Sequence, residues 1–98
     1  MTHEELQQQE AERRREDMAL LLEQPAFRRV LFELFARTGA FEDTFTGNSG
    51  SFYKDGRRSV GLELFHEVMA MEPERFTQMW KEAADAEATA AAKLTDED

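Results

Sequence analysis

The chain is 98 residues long, carries 21 acidic against 12 basic side chains for a formal net charge of −9, and contains no cysteine. That length holds one small core, and the missing thiols exclude a disulfide framework or a thiolate metal site. Residues 1–24 hold seven acidic and three basic side chains, residues 25–80 eight and seven, and residues 81–98 six and two, so the acidity sits at the ends and direct binding to DNA or RNA, which needs clustered lysine and arginine, is disfavoured.

Thr2 followed by Glu5 has the spacing of a capping box, so a first helix is predicted from there to about Glu23. Thr2-His3-Glu4-Glu5 does not read as the basic opening of a secretory leader, and no apolar run approaches the roughly 20 residues a bilayer requires. A soluble chain without a membrane helix is expected. From Leu6 to Asp17 the sequence LQQQEAERRRED has almost no apolar side, whereas MALLL at 18–22 is dense with it; only the last third of this helix can enter a core. Arg13, Arg14 and Arg15 lie among Glu10, Glu12, Glu16 and Asp17, which suits pairing along a solvated helix at i,i+3 and i,i+4.

Pro25 is placed to open a second helix without losing a hydrogen bond. Phe27, Val30, Leu31, Leu34 and Phe35 recur at the spacing of one helical face up to Thr38, and Gly39 supplies the stop. About a dozen residues then form a loop, in which Phe41 and Phe45 read as pins onto the core. A third helix is expected from near Ser51, as N-cap, to near Met71, burying Val60, Leu64, Phe65, Val68 and Met69. Gly56 and Gly61 inside it point to close approach by another helix, since glycine is otherwise unfavourable there by about 1 kcal/mol. Glu72-Pro73 repeats the proline device, and a fourth helix should carry Phe76, Met79, Trp80 and Ala83 inward before running out into KEAADAEATAAAKL and a frayed acidic tail, Thr95 to Asp98.

Three glycines, a lysine and two arginines crowd into TFTGNSGSFYKDGRR, Thr44 to Arg58. A phosphate-binding loop needs four residues between its glycines and then Gly-Lys-Ser/Thr; here five separate Gly50 from Gly56, and Arg57-Arg58 follow. The segment reads as a corner from loop to helix. Arg57 and Arg58 then stand near the helix start, where the dipole disfavours a cation, and should have specific carboxylate partners within the fold or on another protein. HEVMA, His66 to Ala70, opens like a zinc-protease helix but has alanine where the second histidine belongs, and His66 reads as a boundary residue. No nucleophile, base and oxyanion donor can be assembled; the chain is read as non-enzymatic and as using no cofactor or metal.

The block from Arg28 to Phe76 resembles a family of small proteins encoded by short-tailed bacteriophages of the Bordetella-phage type. The features that carry the resemblance are the helix ending before Gly39, the loop FEDTFTGNS, the run F-x-x-G-R-R-x-x-G-L on Phe52, Gly56, Arg57, Arg58, Gly61 and Leu62, and the Glu72-Pro73 break. It covers about half the chain and implies no catalytic residue. What it implies is a phage structural gene neighbourhood: a protein made in the bacterial cytoplasm and carried in the virion. The partners would be portal, connector or internal core proteins in a symmetric multi-copy assembly, with Phe52, Gly56, Arg57, Arg58, Gly61 and Arg13–Arg15 as candidate contacts or signature positions. Two alternatives stay open: an acidic inhibitor of a host nucleic-acid-binding protein, and an assembly scaffold or chaperone absent from the mature particle. The fold expected is all-α, four helices, with a polar arm at 1–24, a compact core at 25–84 and an alanine-rich acidic arm at 85–98.

Overall fold

The computed structural model describes the backbone of residues 1–40 and 49–96 and the side chains of residues 1–40, 56 and 58–95. Among the described residues the protein is all-α: α1 (His3–Leu22), α2 (Pro25–Thr38), α3 (Ser49–Met71) and α4 (Pro73–Asp96). The first two helices have the predicted limits to within a residue, because their ends are written in local chemistry. Thr2 caps α1, its Oγ1 accepting from the Glu5 N–H at 3.1 Å. Gly39 closes α2 in the left-handed conformation, φ 75°; its N–H reaches the Ala36 carbonyl and the Ala40 N–H the Phe35 carbonyl, a Schellman closure that a side chain at Gly39 would strain.

α2 is the hub, packing against α1, α3 and α4. Among the described residues the core consists of Met18 and Leu22 from α1, Leu31 and Phe35 from α2, Ala40, Val68 from α3 and Met79 from α4, with Phe27, Phe32, Leu62, Leu64, Phe65, Met71 and Phe76 packed around them. Rings meet edge to face through it: Phe35 with Phe65 at 5.8 Å and Phe65 with Phe76 at 4.9 Å between centroids, the offset geometry aromatic quadrupoles prefer. As expected, α1 reaches the core only through its last third, and residues 1–17 are exposed throughout.

Several predicted faces are rotated. On α2, Val30 is 63% exposed and Leu34 lies at the rim, while Arg28 and Phe32 face inward. The cause is α4, which packs on the Arg28–Phe32 flank and turns the buried arc toward itself. On α3, Val60 and Met69 are exposed and Val68 is fully buried. On α4, Trp80 is 56% exposed, contrary to the burial expected of it; its ring lies near Phe32, at 5.9 Å between centroids, and Phe76, at 6.2 Å. Helix α3 starts at Ser49, so Ser51 is inside it and does not cap it, and Thr95 belongs to α4, not to a frayed tail. Phe41 and Phe45, the proposed pins, lie outside the described residues.

The two helical glycines part company. A methyl group on Gly61 would collide with the Thr38 hydroxyl and come within 2.9 Å of Thr38 Cβ and 3.2 Å of Ala40 Cβ. That is the close approach between α2 and α3 which the sequence predicted. No described residue comes within 4 Å of such a methyl on Gly56, so among the described residues no neighbour requires it.

Candidate functional site

The most organised polar arrangement is one that sequence reasoning missed. Arg28 is 5% exposed. Its Nε and Nη2 donate to the two Glu82 oxygens at 2.8 and 3.0 Å, and its Nη1 donates to the Leu22 carbonyl at 2.8 Å. One guanidinium on α2 therefore grips α4 bidentately and caps the last turn of α1, whose carbonyls have no helical partner of their own. The hydrogen bonds hold the Glu82 carboxyl below the usual carboxylate range, with the charges of Arg28, Arg29 and Arg75 acting in the same direction. The same contact pushes Arg28 still higher than an ordinary arginine. A signal was present: Arg28 sits three and seven residues before Leu31 and Phe35, on the apolar face.

Beside this joint an open groove of about 360 Å³ runs between α2 and α4, with Phe32, Met79, Ala83 and Ala86 as its apolar lining and Arg29 and Asp85 among its polar residues. Its polar groups do not converge on a vacant point. Arg28 and Glu82 satisfy one another, and no buried side-chain nitrogen or oxygen lacks a partner among the described residues. No described group of three or more metal-ligating side chains is placed to hold an ion. The groove is suited to packing a side chain or a helix edge.

The predicted site residues are not gathered together. Arg13, Arg14 and Arg15 are exposed on α1. Arg14, expected to pair along its own helix, instead spans to α3, donating from Nε and Nη2 to the Glu67 oxygens at 2.8 and 3.0 Å. This fork straddles two helices because α1 runs past α3 beyond its own buried third. It lowers the Glu67 carboxyl and raises Arg14. Gly56 is exposed and Gly61 buried; Arg58 is half-buried, while the side chains of Phe52 and Arg57 lie outside those described. Because α3 begins at Ser49, Arg57 and Arg58 stand more than two turns inside it, so the dipole argument for their needing carboxylate partners lapses.

The model of the Bbp19-like phage protein family matches residues 18–81. The chain belongs to that family. The match begins at Met18, the first buried residue of α1, and ends at Lys81. The Bbp19-like region is thus the packed body, and it contains the Arg28–Phe76 block that resembles proteins of Bordetella-type phages. Outside it lie the solvated part of α1 and the second half of α4. No curated protein and no solved structure matched the chain. No described helix of this Bbp19-like protein is long and apolar enough to cross a membrane.

Proposed function

We propose that this phage protein is a non-enzymatic component of the virion, bound at the head–tail region to portal, connector or internal core proteins through helix–helix contacts. Membership of a phage family supplies the setting. The observation that carries the reading is the shape. The chain measures 66 × 39 × 16 Å with a radius of gyration of 17.5 Å, against about 13 Å for a compact domain of this length. Two helices leave the packed body, and an isolated helix of that length is marginal in water, so protein partners would complete them.

Mass spectrometry of purified particles tests this directly. The protein should be present at a fixed stoichiometry to the portal or core proteins; its absence from particles that are otherwise complete would sink the proposal. One observation favours a second reading. Residues 1–17 are wholly exposed and carry six acidic against three basic side chains, as an acidic inhibitor of a host nucleic-acid-binding protein would. That reading requires stable co-purification with one host protein when no other phage gene is expressed. An assembly scaffold would instead appear in precursor particles and be lost from mature ones.

A further inference from the structure

We propose that the Arg14–Glu67 fork is a latch that fixes the direction of residues 1–17, and that its opening frees them to swing and fray from Met18. The latch belongs to the free chain and does not depend on whether the protein is carried in the virion. Arg14, Met18 and Leu22 follow one another at intervals of four, so they share one face of α1 within about 80° of arc. Only the last two are buried, at 5% and 0% exposure. At about 1.5 Å per residue they grip about 6 Å of helix, whereas the stretch from Met18 back to His3 is about 22 Å long. So short a grip leaves the direction of so long a lever weakly determined. Arg14 extends the same face one turn outward and lengthens the grip to about 12 Å.

The other end of the fork is firmly placed. Glu67 adjoins Val68, which is fully buried, and its own side chain is 26% exposed. Arg14 Nε and Nη2 reach its two oxygens at 2.8 and 3.0 Å, and a planar fork fixes orientation as well as distance. Among the described residues no other hydrogen bond or ion pair ties residues 1–17 to another helix. Arg13 and Arg15 stand about 100° to either side of Arg14 on α1 and make no such tie, so the function of the arginine run divides by position. The tie is also weak enough to open. The Arg14 side chain is 60% exposed, and a pair so exposed favours its closed form by no more than about fivefold. Arg14 is raised above an ordinary arginine first by Glu67 and, after it, by Asp17 on its own helix, so the guanidinium keeps a counter-charge when the latch opens. A charged partner that claims either Arg14 or Glu67 would release the arm.

The chain has no cysteine, so spin labels on Gln7→Cys and Thr77→Cys, both exposed, can report the distance from arm to body in the full-length protein by pulsed electron spin resonance. At low salt one narrow distance component should dominate. Raising salt from about 0.01 M to about 1 M, which shortens the screening length from about 30 Å to about 3 Å, should broaden the distribution. In the same labelled chain, Arg14→Glu or Glu67→Arg should reduce the narrow component about threefold or more, and the double reversal should restore it. Arg13→Gln and Arg15→Gln should leave it intact, which separates the latch from a general effect of charge on α1. A cooperative melt by circular dichroism shows that each variant keeps its body folded, and the salt titration needs no change at either position. A distribution that stays narrow in Glu67→Arg, or one that salt does not change, overturns the proposal, as does a double reversal as broad as the single ones or an Arg15→Gln variant as broad as Arg14→Glu.

Discussion

Replacing Arg28 with methionine keeps the aliphatic stem and removes the head group that joins α1, α2 and α4. Three hydrogen bonds disappear, two to the Glu82 carboxylate and one to the Leu22 carbonyl. Hydrogen bonds to charged groups contribute about 1.5–3 kcal/mol each, but they are not additive within one side chain. Glu82 is about one-third exposed on its side chain, so water recovers part of the loss when its partner goes. The expected destabilisation is about 2–4 kcal/mol, against a total of about 5–15 kcal/mol for a native domain. Thermal denaturation followed by circular dichroism should register a fall of about 10–20 °C in Tm for a domain of this size. Glu82→Gln, which keeps an acceptor, should lower Tm by less, and the double variant should lose less than the two single losses combined. The acid limb gives an independent sign. Glu82 is held below its unfolded value of 4.5, so its contribution is present in full above that pH and is lost as pH falls through the lower folded value; Glu82→Gln should flatten that limb. An Arg28→Met protein with an unchanged Tm would refute the reasoning, because a buried guanidinium with three partners cannot be removed silently.

Gly61→Ala should destabilise by about 1–3 kcal/mol through overpacking against Thr38, while Gly56→Ala, with no described residue within reach of the added methyl, should stabilise by about 0.4–1 kcal/mol; urea titrations that gave both the same sign would contradict the different surroundings of the two glycines. Phe35→Ala, which empties a fully buried site, should lower stability by about 3–5 kcal/mol, and Trp80→Ala by only about 1–2 kcal/mol, the worth of its ring contacts and partial burial; equal losses would place Trp80 in the core after all. Deleting residues 1–17 should leave a folded body and change its stability by less than about 1 kcal/mol, because the Arg14–Glu67 fork it removes is exposed on the arginine side; amide exchange within that segment of the intact free chain should be rapid, and strong protection there would contradict a solvated arm.

Much of the fold was legible because helix ends are local events. Thr2, Pro25, Gly39 and Pro73 each act on their own turn, and the structure places boundaries at all four. Which side of a helix is buried is not local. The spacing of Val30 and Leu34 fits an apolar face as well as that of Phe32 does, and only the arrival of α4 decides between them. Arg28 was passed over for the same reason: an arginine among leucines becomes a core residue only when a carboxylate 54 positions later arrives to meet it. Trp80 shows the reverse error, where size alone suggested burial and more than half of the residue stays exposed beside Phe32 and Phe76. That residues 1–17 of α1 and α4 beyond its core segment stay exposed was legible as well, since the absence of a long apolar stripe in the first and the shortage of bulky side chains in the second are properties of composition.

The joint at Arg28 also has a history within each molecule, because its parts are synthesised far apart. When α1 and α2 have left the ribosome, the guanidinium has the Leu22 carbonyl within reach but not Glu82. It must stay hydrated until then, since a charge is not buried before its counter-charge arrives. The α1–α2 hairpin can therefore form in outline but cannot dry its interior face. Drying waits for α4, whose Met79 and Phe76 enter in the same movement that brings Glu82 to Arg28. Closure over so long a loop is late and concerted, which makes the packed body a single all-or-none unit although its helices are each marked out locally.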